Sequence, residues 1–389
     1  MKTNAQFIAE NKAWAEEMLK KVDEKMSKVT LRSRNKLPYL VDENGFHLDK
    51  SQDHPFWWTN GFWGGLNAML YKYTGNEEYL KTLESSELLL DKAWRENVFN
   101  LHHDVGFLWH LTSGAKYRID GNLDSRQRNF LAAATLMGRF VVGPNFIKAW
   151  HGQERVRDWS IIDSMMNLAV LYWASDETKD DRYKRAAMAH ADTTITHHIR
   201  PDGSVAHQAQ HDRETGELVA TFGGQGYAEG SSWSRGQAWA LYGFVISYIH
   251  TGEKRYLDTA MQVANYFIAA CSDDWLPRAD FRSPDEPELY YDSTAGACAA
   301  CGLLELGRLL PEYYGGLYTH AAIKIMKAMT EKFCNFDPAT DDMLGFGTGR
   351  RPPEGVDPAK CEIHQSIIYG DFFYIEALLK IVGSDFFMW

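Results

Sequence analysis

The feature that most constrains this chain is a recurring junction between helices. At each copy an apolar helical segment ends in a short polar turn, and a tyrosine then opens a more amphipathic helix. The copies are Tyr73-Thr74-Gly75-Asn76 before Tyr79, Ser175-Asp176-Glu177-Thr178 before Tyr183, Thr251-Gly252-Glu253 before Tyr256, and residues 312–316 before Tyr318. Helix hairpins in an array leave this signature. The segments 159–173, 232–248 and 295–309 are apolar nearly all round, which predicts buried inner helices. Segments 253–270 and 315–334 carry one apolar stripe, in the first case Tyr256, Leu257, Ala260, Val263, Ala264 and Phe267, which predicts outer helices. A first helix is predicted over residues 3–28, with Thr3 as its N-cap. The pattern predicts an all-α chain, an α/α toroid of about six hairpins, with an open α-solenoid as the alternative. A small β-hairpin is expected from the alternation at 204–211 and the turn at 214–217. No Pro/Gly/Ser-rich linker divides the chain, so residues 1–389 read as one domain.

Charge narrows the partners. With a formal net charge of -11 the chain has no general attraction for polyanions, which argues against nucleic acid and anionic membrane. No apolar run approaches the roughly 20 residues that span a bilayer. The first twelve residues are polar and lack a signal-peptide pattern, and five cysteines make an odd set, so the expected compartment is the reducing cytoplasm. A large core uses many of the 13 Trp, 19 Tyr and 20 Phe, but an excess of Trp also suits sugar binding, because ring faces stack on the apolar face of a pyranose.

Several residues stand out chemically. In the predicted helix 159–173, Ser160, Asp163, Ser164 and Asn167 form a polar stripe among Ile161, Ile162, Met165, Met166 and Leu168. A carboxyl in such surroundings has to be hydrogen-bonded and can hold its proton at neutral pH, which suits a general acid; the plainer reading is a helix-capping Asp. His102-His103-Asp104 suggests a metal site, but adjacent ligands pointing to different faces are poorly placed for one ion, so Asp104 reads instead as a second, sugar-binding carboxylate or a cap. Arg235 and Trp239, four apart, put a guanidinium beside an indole, an arrangement fit for a pyranose that carries a carboxylate; Ser231 or Ser232 is expected to cap their helix. Trp58 opens the second helix, and His207 and Gln225 flank the expected hairpin. Asp292 and Asp371 are expected to cap apolar helices, and Cys298 and Cys301 to pack in one.

Together these segments resemble the unsaturated glucuronyl hydrolases, glycoside hydrolase family 88. The resemblance rests on 58–63 (WTNGFW), 102–107 (HHDVGF), Ala149-Trp150, Ile161-Ile162-Asp163, 233–239 (WSRGQAW), 292–295 (DSTA) and 370–374 (GDFFY), in that order and spacing over most of the chain. It implies an (α/α)6 barrel with its pocket at one end of the inner ring, and no metal or organic cofactor. It implies Asp163 as general acid and base, protonating C4 of a 4,5-unsaturated uronic acid at the non-reducing end of an oligosaccharide, with water adding at C5. Asp104 would steady the developing oxocarbenium charge and hold ring hydroxyls. His103, His207, Gln225 and Arg235 match the family's substrate contacts, and Trp58, Trp150, Trp233 and Trp239 its aromatic positions.

Two departures bear on the substrate. Asn60 stands where the family pattern has Asp. The Ser-x-x-Ser-x-Lys pattern that holds a sulfate in streptococcal members is missing from 350–366, which offers Arg350, Arg351, Lys360 and His364 instead. A glycosaminoglycan fragment, sulfated or not, is the leading expectation, and gellan- or xanthan-type fragments stay open. Unsaturated rhamnogalacturonyl hydrolysis, sugar 2-epimerisation through His103 and His207, and a non-catalytic helical-repeat binding module are the alternatives.

Overall fold

The computed structural model describes residues 2–151, 158–271, 273–284, 290–353 and 355–389. Helices dominate. α1 (Asn4–Ser33), α2 (Asn60–Thr74) and α3 (Glu77–Glu96) lead to a π-helical stretch, Gly106–Gly114, that runs on into α4 (Ala115–Asp120). Then follow α5 (Leu123–Met137), α6 (Ser164–Asn167), α7 (Ala169–Thr178), α8 (Asp181–His197), α9 (Ser234–Thr251), α10 (Lys254–Ala270), α11 (Ser293–Leu309), α12 (Glu312–Phe333) and α13 (Ile368–Val382).

They form two rings, the (α/α)6 barrel. In the inner ring α2 packs on the π stretch, the π stretch on α6 and α7, α6 on α9, α9 on α11, α11 on α13, and α13 back on α2. The outer ring holds α1, α3, α5, α8, α10 and α12. Burial follows the predicted division. Every residue from Ser293 to Gly307 of α11 and from Ser234 to Ser247 of α9 is buried, whereas α10 buries only Tyr256, Thr259, Ala260, Val263, Ala264 and Phe267. Burying each large apolar side chain of such a stripe contributes roughly 1.5–3 kcal/mol. The recurring tyrosines sit near the start of outer helices, and Tyr79, Tyr256 and Tyr318 are buried. Thr3 caps α1 through a capping box with Gln6, and the helix runs five residues further than expected.

The sequence-based boundaries fail at 159–173. Residues Trp159–Ile161 form strand β5 rather than helix; α6 begins after Asp163, and Leu168 separates it from α7. The physical reason is a pairing the local pattern does not contain: β5 pairs antiparallel with β6 (Gln208–His211), which pairs with β7 (Leu218–Phe222). The expected hairpin is thus the outer two-thirds of a three-stranded sheet. Ser160 therefore leaves the helical stripe, and its hydroxyl joins His198 and His211 at 2.8 and 2.7 Å.

Trp389 packs among the inner helices. Trp389 stacks on Phe373, meets Tyr242 and Phe107 edge-on, and donates its indole N–H to Glu376. Among the described residues no helix is long and apolar enough to cross a membrane.

Candidate active site

The N-terminal ends of the inner helices carry the candidate residues. Trp58 precedes α2, Asp104 precedes the π stretch, Asp163 precedes α6, Trp233 precedes α9 and Arg235 lies in its first turn. Helix N-termini carry partial positive charge, so this end of the barrel favours a negatively charged ligand.

Asp163 and Asp104 are both buried, 8% and 7% exposed. The Asn167 side-chain amide ties them together: it donates to Asp104 Oδ1 at 3.1 Å and to the Asp163 carbonyl at 3.3 Å, while its oxygen accepts the Phe107 N–H at 2.8 Å. Glycine at 106 makes this possible, since a Cβ there would stand 2.7 Å from Asn167 Oδ1. Neither carboxylate caps a helix through its side chain, so the capping readings of both are set aside. Burial first, and then the Asp163 charge, push the Asp104 carboxyl well above the usual carboxylate range, against the pull of Asn167 and Arg139. Asp163 Oδ2 is buried with no hydrogen-bond partner among the described residues.

His207 faces that free oxygen, with Nε2 at 3.3 Å but off the line that would complete a hydrogen bond. Its Nδ1 accepts the Gln225 N–H at 2.9 Å, so the proton of the neutral ring sits on Nε2, toward Asp163. Trp233 packs on this imidazole at 4.5 Å between centroids. Gly224 turns the chain here with φ +60, and a Cβ would lie 2.0 Å from His207 Nδ1. The Gln225 side chain is occupied: its amide donates to the Gly349 carbonyl at 2.7 Å.

Arg235 takes a different place from the one expected. Its guanidinium is not held out as a free fork. Nη1 pairs with Asp292 Oδ2 at 2.8 Å and donates to the Thr348 carbonyl at 2.7 Å; Nη2 donates to the Gly349 carbonyl at 2.7 Å. The Trp233 and Tyr369 rings flank it at 4.5 and 5.2 Å. Only Nε lacks a partner among the described residues. Trp239 is fully buried one turn further in, against Phe107 and Phe373, while Trp58 lies half-buried against Tyr369 and Trp150 stands edge-on to His103.

Other expectations sort plainly. Asp292 does cap α11, accepting from the Thr294 N–H and hydroxyl. Asp371 does not cap: it lies inside α13, accepts the Leu344 N–H at 2.8 Å, and burial pushes its carboxyl up to about 8. Neither Ser231 nor Ser232 caps α9, whose N-cap position is Trp233. Cys298 and Cys301 are buried free thiols.

The geometric premise set against a metal at 102–104 fails. Ligand atoms of His102, His103 and Asp104 lie within 4.8 Å of one another. The three sit in an irregular turn ahead of the π stretch, where consecutive side chains do not alternate between faces. Burial lowers the His102 imidazole to about 4 and His103 well below its usual range. Arg139, which no sequence pattern marked, backs this turn; its guanidinium holds the Lys148 and Ala149 carbonyls and His151.

Beside the carboxylates opens a cavity of ≈ 730 Å³, with Trp150, Trp159, Phe222, Phe99, Gly224 and Arg350 among its walls. Trp159 and Phe222 stack at 4.5 Å, so β5 and β7 bring an aromatic surface to the mouth. Sequence reading missed this pair because their contact depends on strand register.

A double helical ring with buried paired carboxyls beside an aromatic cavity defines a glycosidase of the (α/α)6-barrel class. The sequence model of Glycosyl Hydrolase Family 88 matches residues 18–331. The chain is 33% identical over 356 residues to an unsaturated glucuronyl hydrolase of Bacillus sp. (strain GL1), covering 89% of this chain and 91% of that one. It is 32% identical over 329 residues to an unsaturated chondroitin disaccharide hydrolase of Streptococcus pyogenes serotype M1, covering 83% and 80%. The crystal structure of an unsaturated glucuronyl hydrolase from Bacillus sp. GL1, responsible for the degradation of glycosaminoglycan, superposes with a TM-score of 0.85 at 29% identity, covering 92% of this chain and 95% of that one. One specific for heparin gives 0.84 at 28% identity, covering 94% and 97%. This chain belongs to glycoside hydrolase family 88.

Proposed function

We propose that this enzyme releases a 4,5-unsaturated glucuronic acid from the non-reducing end of a lyase-generated oligosaccharide, glycosaminoglycan-type fragments foremost. The observation that carries the reading is the free, buried Oδ2 of Asp163, set beside Asp104 and aimed at by His207 Nε2. A glycosidase that displaces at the anomeric carbon sets two carboxyls on either side of the scissile bond. Here the Asn167 amide donates to the Asp104 carboxyl and to the backbone carbonyl of Asp163, holding the two residues in one buried patch.

Asp163 hands its proton to C4 of the vinyl ether. The resulting oxocarbenium at C5 takes up a water whose proton returns to Asp163. The hemiketal opens to a ketone, which frees C1 as a hemiacetal and lets the remaining oligosaccharide leave. Asp104 holds ring hydroxyls and, with His207, lines the charge-bearing side. Arg235, fixed by Asp292, offers Nε to the sugar carboxylate, and the inner-helix N-termini add to that attraction. Trp58, Trp150 and Trp233 supply ring faces; Gln225 fixes the tautomer of His207, His103 borders the carboxyls, and Trp239 backs the pocket floor. None of these steps calls for a metal or organic cofactor.

The test is the ultraviolet absorbance of the substrate's conjugated double bond, followed on a panel of sulfated and unsulfated unsaturated disaccharides. The expected result is loss of the signal on at least the unsulfated member. An unchanged signal across the panel, or a changed sugar identity with the absorbance intact, contradicts the proposal.

A further inference from the structure

The turn at 102–104 gathers three potential ligand atoms within 4.8 Å of one another. His102 Nδ1 lies 3.3 Å and His103 Nε2 3.4 Å from the same atom, Asp104 Oδ2. Both nitrogens are buried and without a hydrogen-bond partner among the described residues. A tetrahedral ion with bonds of about 2.0–2.2 Å spaces its ligands about 3.3–3.6 Å apart. The two edges to Asp104 Oδ2 fit that figure, and all three ligand atoms lie within 4.8 Å of one another.

The surroundings fit as well. The far nitrogen of His103, Nδ1, meets Ser164 Oγ at 3.0 Å, and with the ring proton on that side Nε2 presents its lone pair inward. The other Asp104 oxygen is held by Asn167. Both are second partners of the kind that orient metal ligands. His102 lines the ≈ 730 Å³ cavity, which gives an ion its path from solvent and leaves a fourth coordination position open.

We propose that His102 Nδ1, His103 Nε2 and an Asp104 carboxylate oxygen bind one divalent transition-metal ion of the Zn2+ type, and that the bound ion inhibits the enzyme by taking the place of the sugar. The binding claim stands on geometry alone; the inhibition claim rests on the proposed function, because it requires Asp104 and His103 to meet substrate.

The experiment has two arms on the full chain. In the first, Co2+ alone is titrated in and the visible d–d absorption is read. The expected result is a saturable four-coordinate spectrum without a thiolate charge-transfer band, which sets cysteine ligation aside, and its displacement by Zn2+. His102→Gln should weaken Co2+ binding by about 100-fold or more, and Ser164→Ala by about 10-fold, the range seen when ligands lose their outer support. In the second arm, Zn2+ should raise the apparent KM for the unsaturated disaccharide while leaving kcat, EDTA should reverse it, and His102→Gln should shift the inhibition by the same factor as its Co2+ affinity, measured against its own uninhibited rate. An unsaturable or thiolate-type spectrum, or unchanged affinity in a His102→Gln protein that melts like the parent, overturns the site. Co2+ binding as expected with non-competitive Zn2+ inhibition overturns only the blocking role. A chain that turns over no disaccharide overturns the proposed function, and the first arm still decides the metal.

Discussion

At the scale of single residues, Asp163 was legible because Ile161, Ile162, Met165 and Met166 surround it in sequence, and the structure keeps it among them. A general acid contributes about 10²–10⁴-fold to rate, so Asp163→Asn should lose that factor in kcat. It should also melt within a few degrees of the parent, since Oδ2 makes no hydrogen bond to lose. A mutant that keeps parental kcat removes Asp163 from the chemistry. Gly224 offers a different kind of test. Gly224→Ala combines a left-handed backbone with a Cβ driven into His207, a strain on the order of 1–3 kcal/mol. Displacing His207 should lower kcat more than Tm, read by kinetics beside calorimetry; equal activity means the ring's position is immaterial. What the sequence hid at this scale were partners far along the chain. Nothing near Arg235 announces Asp292, 57 positions away, so its guanidinium read as free. His102, His103 and Asp104 read as divergent because only the irregular turn brings their tips together.

At the scale of elements, inner and outer helices were legible from periodicity, because burial on all sides and burial on one stripe leave different patterns. α9 and α11 keep their expected spans to within a few residues. Residues 159–161 were not legible as a strand, since they become one only by pairing with β6. The Arg235–Asp292 pair joins the first turn of α9 to the cap of α11. Removing one member of a buried pair leaves the other charge uncompensated, at a cost of about 3–5 kcal/mol. Arg235→Ala should therefore lower the unfolding free energy from urea titration by that amount, and Arg235→Ala with Asp292→Ala by less than the sum of the two single changes. Strict additivity in urea titrations contradicts the coupling.

At the scale of the whole molecule, buried histidines set the acid limit. Burial lowers His47 and His211 to about 4 and His190 and His198 to about 3. In the unfolded chain each titrates near 6.5, so between about pH 6.5 and 4 the unfolded state binds more protons and stability falls with falling pH. Asp371, protonated in the fold up to about 8, and Asp104, also pushed up by burial, pull the opposite way, but the buried histidines, His102, His103 and His110 among them, outnumber them. The melting temperature should drop from pH 7 to pH 5; a flat profile contradicts the account. The molecule's reaction is tested most directly by turnover of an unsaturated disaccharide in D2O, followed by NMR. Protonation from Asp163 predicts one deuterium at C4 of the released sugar and disappearance of the vinyl proton signal in step with product. Release of the second sugar with the double bond intact and no deuterium at C4 would place the chemistry at the anomeric carbon and contradict it.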